Sequence, residues 1–365
     1  LYGRIDGGFQ YNGNQVKVDG VEKIDDSSFK MGSGQSTGSR FGVKGTEEIS
    51  EGLKVGFVLE HGFNVDDGAF GDDERMFNRE ASLQLISDDY GTLALGRMGS
   101  IKSDAGTFGF YAGAVNPFGT GWSNVPGVGA KIFSGHESRW DNMITYKSPT
   151  FAGTTVYAQY SMGGNDADEM THRAERYAAL GVNFVTGNLN LAAVVDWTDE
   201  AYVKGAKFWT GEERDDQYTV NVGGSYNFGV AKTYLAAQYF KNANDVANTI
   251  SVLGDEDVAA ALKADNVVVP AADKFKGYGV ALGADVPAFG GNFLASLAYT
   301  DGEEENWDAD ATAYSAALGY TYPLSKRTNL YAVGVYNNRE VKAGWADAKV
   351  EQDQYQAFFG MVHKF

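Results

Sequence analysis

Apolar and polar residues alternate over most of the chain. In Leu189–Trp197, the odd positions Leu189, Leu191, Ala193, Val195 and Trp197 fall on one face, and Asn190, Ala192, Val194 and Asp196 on the other. Tyr218, Val220, Val222, Tyr226 and Phe228 repeat the pattern, as do Tyr314, Ala316, Leu318, Tyr320 and Tyr322. A period of two belongs to a strand with one apolar face. Read this way, strands run over 1–14, 39–48, 53–60, 77–86, 91–97, 139–148, 153–163 and 173–185. They continue over 189–199, 214–228, 231–241, 275–287, 291–301, 310–322, 328–340 and 354–365, about sixteen in all.

The connections alternate in length. Short ones are 50–52, 88–91, 151–153, 186–188, 229, 289–290 and 325–327. Long ones are the polar stretch to Gly38, the acidic loop Asp66–Glu74, and 200–213, 242–273, 302–309 and 341–353. Asp255–Asp265 is expected to form one helical turn or two. Short turns at one end and long loops at the other describe an all-β, 16-stranded antiparallel up-and-down barrel. A bilayer supplies the reason, because backbone groups in hydrocarbon must all be paired and a closed sheet has no edge. A soluble sandwich would alternate too, but its strands run nearer five or six residues. Sixteen strands enclose too wide an interior for side chains to fill, and so leave an aqueous channel.

About forty residues lie between Arg97 and Arg139, rich in Gly, Phe, Ala and Asn. A structureless loop that long is generally functional. It is expected to fold inward and narrow the pore, making 97–139 a constriction region.

Composition agrees with this reading. Gly 47, Tyr 21 and Phe 22 are many and Pro 6 are few, as strands and turns require. No Pro/Ser-rich linker divides the chain, so 1–365 reads as one domain. The net charge of −18 argues against a nucleic-acid partner. The absence of cysteine excludes disulfides and thiolate metal sites. No apolar run reaches the ~20 residues of a transmembrane helix, and the mean hydropathy of −0.31 looks soluble. A barrel can share that value, because only every second strand residue need be apolar. The chain opens inside a strand pattern, so an export signal is expected to have been removed.

Several stretches together resemble the general porins of Gram-negative outer membranes. Leu1-Tyr2-Gly3-Arg4-Ile5-Asp6 and Ser39 through Glu48 resemble their first two strands. Asp89 through Arg97 resembles the strand entering their third loop, and Arg139 through Gly153 the strand and turn leaving it. Gly360-Met361-Val362-His363-Lys364-Phe365 resembles their last strand. The likeness is strongest over the first ~160 residues and the last dozen; the middle matches in pattern only. It implies a bacterial outer-membrane location, a homotrimer with contacts on the early strands, and Phe365 as the assembly signal. It also implies a water-filled channel for passive diffusion of ions and small hydrophilic solutes. Outer-membrane lipid and lipopolysaccharide would surround the channel.

The resemblance implies a basic wall cluster at Arg4, Arg40, Arg79 and Arg139. Residue parity supports three of these. Arg4 and Arg40 share polar strand faces, and Arg139 shares one with Asp141, opposite Trp140. Arg79 has the parity of the apolar Ala81, Leu83 and Leu85, and needs a bulge to face the lumen. The alternative for each is a salt bridge at the rim or in a loop. An arginine facing lipid at mid-depth costs about 2–4 kcal/mol. Lys44 is a further candidate, for the lumen or the periplasmic rim.

On the facing loop, porins commonly carry acids around a Pro-Glu-Phe-Gly tip. Here Asn116-Pro117-Phe118-Gly119 has none. Asp104 and Glu137 remain, with Lys102, Lys131 and His136 adding positive charge. Excess positive charge in a narrow constriction favours anions. Modest anion preference is therefore expected. The acids Asp66, Asp67, Asp72, Asp73, Glu74, Glu303, Glu304 and Glu305 are placed in screened external loops. The alternative within channels is a specific path for small organic or phosphate anions, lined by Phe108, Phe110, Tyr111, Phe118 and Trp122. Packing of those aromatics against the wall is the plainer role.

No cofactor or metal is expected. Asp66–Glu74 could offer oxygens to divalent cations but lacks EF-hand spacing. The histidines His61, His136, His172 and His363 form no Ser/His/Asp set with a supporting motif, so no enzyme activity is expected. A purely structural barrel or adhesin would lack conductance.

Overall fold

The computed structural model describes residues 1–72, 75–119, 122, 138–163, 176–199, 215–243, 246, 274–304, 308–344 and 348–365. The strands expected from alternation are present, with one addition. In order they are β1 Tyr2–Val18, β2 Val21–Ser33, β3 Arg40–Ser50, β4 Leu53–Gly62, β5 Glu80–Ser87, β6 Gly91–Gly99 and β7 Arg139–Lys147. Then come β8 Thr154–Ser161, β9 Arg176–Thr186, β10 Leu189–Asp199, β11 Gln217–Asn227 and β12 Lys232–Ala243. The chain ends with β13 Phe275–Ala288, β14 Gly291–Glu304, β15 Ala309–Pro323, β16 Thr328–Ala343 and β17 Ala348–Lys364. The helix α1, Tyr111–Val115, lies between β6 and β7.

Each strand pairs antiparallel with its neighbours, and β17 closes on β1 from Arg4↔Lys364 to Val18↔Val350. Sixteen strands make this ring. The seventeenth, β2, corrects the expected polar loop. It returns from β1 through Asp19 and Gly20, both at positive φ (50° and 78°), the conformation of a two-residue hairpin turn. It pairs with the upper part of β1, Gly7↔Ser33 to Val18↔Val21, while β3 pairs with β1 only at Tyr2–Arg4. Two other expected loops are also shorter, because β14 runs on to Glu304 and β17 begins at Ala348.

Alternation sets the two faces. Leu191, Val195, Leu297 and Leu318 are exposed on the outside, whereas Ala192, Val194 and Asp196 are buried within. Tyr278–Tyr299, Tyr314–Tyr336 and Tyr336–Tyr355 ring contacts of 5.1–6.3 Å run along the long-loop end. Tyr226–Phe228 and Phe293–Tyr320 mark the short-turn end. These are the two aromatic belts of a membrane-spanning barrel. The termini meet at the short-turn end, where Gly3 N donates to Phe365 O.

A candidate pore constriction

The described part of the chain between β6 and β7, residues 100–119 and 122, turns inward and runs along the barrel's inner wall. Ile101 N donates to Gln159 Oε1 of β8 at 2.8 Å. Lys102 Nζ reaches Asp196 Oδ2 of β10 at 2.5 Å, with both side chains buried, and Thr219 of β11. Tyr111 OH donates to Val222 O of β11 at 3.1 Å. Asn116 Nδ2 donates to Ser296 Oγ of β14 at 3.1 Å, and Asn116 Oδ1 accepts from Phe118 N. Trp122 meets Tyr331 of β16 edge-on at 5.3 Å.

The wall is cut back to receive this chain. A methyl group on Gly283 of β13 would lie 2.5 Å from Pro117 Cδ, and one on Gly223 of β11 would lie 2.8 Å from Val115 Cγ1. Phe108, Tyr111, Val115, Phe118 and Trp122 are buried here. Phe118 and Trp122 join Val333, Val335 and Phe358 in one apolar cluster. Burying such side chains contributes about 1.5–3 kcal/mol each.

This corrects three expected pore-lining residues. Lys102, Asn116 and Phe118 are 3 % exposed each and fasten the loop to the wall, so they do not face the opening. Asp104 is exposed on the loop surface, against Gly113 and Gly119. Lys131, His136, Glu137 and His172, and the helical turns expected at 255–265, lie outside the described residues.

The opposite wall, β1 and β3–β7, carries the arginines. Arg4 Nη1 and Arg40 Nη2 both donate to Thr37 Oγ1, at 3.2 and 2.9 Å. Arg79 Nε reaches Glu60 Oε1 at 2.8 Å, and Arg40 Nη1 reaches the same oxygen at 3.7 Å. Arg139 Nε donates to Arg79 O at 2.9 Å. Higher up, Arg97 and Arg75 share Asp141 at 2.6 and 3.0 Å. Lys44 lies below the cluster, 5.2 Å over the Tyr2 ring, and Tyr2 OH donates to Glu60 Oε2.

Arg79 reaches the lumen without a bulge. β5 begins only at Glu80, so Arg79 precedes the strand and escapes its alternation. Trp140 departs from its expected outer face. A register shift between Gly96 and Met98, with Asn142 at φ 48°, turns it inward onto Tyr177 at 4.7 Å. Glu304, expected in an external loop, is 1 % exposed at the end of β14. His61 has the outward parity of β4 and lies beneath Phe70 at 5.0 Å.

Several contributors were not singled out from sequence. Glu60 and Asp141 lie on polar strand faces, and parity was the signal that could have found them. Arg75 carried no signal. The short segment 34–39 after β2 folds inward: Asp6 Oδ2 accepts from Ser36 N and Thr37 N at 2.8 and 2.7 Å. Tyr331 OH donates to Asp6 Oδ1 at 2.7 Å, and Trp122 N donates to Ser36 O at 2.7 Å. This strap meets the long loop and closes the circle. The signal for β2 and the strap was the Asp19-Gly20 dipeptide between alternating residues.

Among the described residues the wall thus sets six arginines, Arg4, Arg40, Arg75, Arg79, Arg97 and Arg139, against three carboxylates in ion pairs with them, Glu60, Asp141 and Asp72, the last of which was expected in a screened external loop but meets Arg75 at 3.0 Å. Glu80 is turned to Thr107 and Ser82 instead.

A profile for the family described as Gram-negative porin matches residues 1–342. An outer membrane porin protein of Bordetella pertussis is 34 % identical over 364 residues, covering 92 % of this chain and 88 % of the relative. Outer membrane porin protein 32 of Delftia acidovorans is 30 % identical, covering 84 % and 76 %. Among solved structures, the anion-selective porin from Comamonas acidovorans superposes with a TM-score of 0.63 at 24 % identity, covering 100 % of this chain and 98 % of that one.

Proposed function

Since the chain belongs to the Gram-negative porin family of outer-membrane channels, we propose that its pore passes small hydrophilic solutes with a modest preference for anions. The carrying observation is the arginine wall facing a loop whose tip has no acid. Fixed charges in a low-dielectric constriction act more strongly than in bulk water, and rings of arginine favour anions. The anion-selective porin from Comamonas acidovorans shares this fold. The test is the zero-current potential across a planar bilayer in a KCl gradient. Chloride should be the more permeant ion; a potential of the opposite sign overturns the reading.

The family and its relatives are outer-membrane channels. We read the assembly as a homotrimer joined through the early strands, whose outer faces expose Phe9, Phe29, Phe41 and Val43. Lipopolysaccharide is the lipid we assign to the outer leaflet around it.

A further inference from the structure

Three lysines below the arginine wall share one arrangement. Lys44 of β3 lies 5.2 Å over the Tyr2 ring, Lys147 of β7 lies 5.8 Å over Tyr157, and Lys232 of β12 lies 4.7 Å over Tyr234. These are cation–π distances. All three lysines have lumenal parity: Lys44 with Arg40, Lys147 with the buried Met143 and Thr145, and Lys232 with the buried Ala236 and Gln238. Two of the tyrosines are fixed in turn. Tyr2 OH donates to Glu60 at 3.0 Å, and Tyr157 stacks on Phe110 of the inward loop at 4.5 Å. None of the three lysines has an ion pair among the described residues.

Register puts them at one height. With strands ~4.8 Å apart and tilted ~40°, a line of cross-strand partners climbs ~3 Å per strand, and one residue along a strand climbs ~2.5 Å. From Lys44 the line passes Val58, Ser82 and Gly96 to Met143 on β7, four strands on, and Lys147 lies four residues back down. From Lys147 it passes Tyr157, Gly181, Val194 and Asn221 to Gln238 on β12, five strands on, and Lys232 lies six residues back down. The three heights agree to within ~3 Å. Arg40 is four residues above Lys44 on β3, so the lysines stand about 10 Å below the arginines, toward the short turns that face the periplasm. Around the sixteen-strand ring they are separated by four, five and seven strands. They surround the opening.

One acid shares their height. Asp285 of β13 is the register partner of Lys232, and its Oδ1 accepts from Asn292 Nδ2 at 2.6 Å. Lys364 of β17, the register partner of Arg4, adds a further lumenal cation. Glu48 and Lys54 are partners in register and balance each other lower down. The mouth therefore keeps a positive excess.

We propose that Lys44, Lys147 and Lys232 form a second charged ring, at the periplasmic mouth, that draws small inorganic and carboxylate anions into the pore from that side. Rings of lysine favour anions. Each tyrosine holds its ammonium against the wall, so the charge is fixed in place without narrowing the opening. The inference deepens the anion-preferring reading of the pore and rests on it for the class of solute, but it uses residues outside the arginine wall.

The experiment is the zero-current potential of single channels in planar bilayers, with 0.1 M KCl on one side and 1 M on the other, taken in both directions on each channel. The variants are Lys44→Gln/Lys147→Gln/Lys232→Gln and the charge-retaining Lys44→Arg/Lys147→Arg/Lys232→Arg. Three charges ~10 Å from a passing ion, at a Debye length of about 10 Å, should change the anion-to-cation permeability ratio by about two- to fivefold. The glutamine variant should lose that factor when the dilute bath is at the short-turn mouth, and lose clearly less in the other direction. The arginine variant should keep the native ratio, and Asp285→Asn should raise it. Between 1 M and 3 M KCl, where the Debye length is about 3 Å or less, the glutamine variant should match the native channel. An unchanged ratio in the glutamine variant, an equal loss in both directions, or an equal loss in the arginine variant overturns the ring. Cation preference in the unaltered channel overturns the arginine reading instead, whereas the ring stands or falls on the shift between variants.

Discussion

At the scale of single residues, the selectivity of the pore turns on how much arginine charge its few acids leave uncancelled. Glu60 is the central acid, since Arg79, Arg40 and Tyr2 all meet it. One unit charge acting on an ion ~5 Å away in water is worth about 0.8 kcal/mol, a factor of about four for each ion and, with opposite signs for anion and cation, about sixteen in their ratio. Glu60→Gln should therefore raise the anion-to-cation permeability ratio by up to about sixteenfold. Arg79→Gln should lower it by a similar factor. Zero-current potentials of the two variants under one salt gradient check both. If both shift the ratio in the same direction, charge at this site does not set selectivity. Thr37 acts differently, as a neutral acceptor shared by Arg4 and Arg40, and fixes their guanidinium groups without reducing their charge.

At the scale of elements, the inward loop is held by contacts its own sequence does not advertise. Lys102 is buried against Asp196, and breaking a buried pair by removing one partner costs about 3–5 kcal/mol. Lys102→Met should loosen the loop, seen as added open-channel noise or brief closures in single-channel records. Lys102→Met/Asp196→Leu should restore quiet openings, because no charge is then left buried; equally noisy records from both variants would exclude the ion pair as the anchor. Gly283→Leu should displace Pro117 and change the conductance by at least about a quarter, while Gly334→Leu, where nothing lies within 4 Å, should leave it unchanged. Why the loop's presence was legible and its path was not follows from distance along the chain. Alternation within one strand is local, so barrel, faces and loop length could be read directly. The contact from Asn116 to Ser296 spans 180 residues, and no local pattern encodes it. The glycines at lumenal positions of β11 and β13 were the available clue, and they read as ordinary strand glycines. The route by which Arg79 reaches the lumen and the face taken by Trp140 escaped parity for a related reason. Parity holds only inside a regular strand, and both residues lie where a strand starts or slips.

At the scale of the whole molecule, an acidic protein is proposed to favour anions, and the two signs are reconciled by distance. The acids Asp66 and Asp67 lie in the outer loop after β4, and Glu303 is exposed at the end of β14. Arg4, Arg40, Arg97 and Arg139 sit deeper, on β1, β3, β6 and β7, with Arg79 just before β5. At ~0.1 M salt the Debye length is about 10 Å, so the constriction responds to its own wall. At 0.01 M it grows to about 30 Å and the outer acids reach the constriction. At 1 M it falls to about 3 Å, and the arginines themselves are screened from a passing ion. Anion preference should therefore peak at intermediate ionic strength. Permeability ratios at mean salt concentrations of 0.01, 0.1 and 1 M, each with the same fold gradient, check this. A ratio highest at 0.01 M would mean that the outer acids do not act on the constriction. Neutralising Asp66 and Asp67 together to Asn should raise the ratio at 0.01 M and leave it nearly unchanged at 1 M, which separates their long-range field from any change in the pore itself.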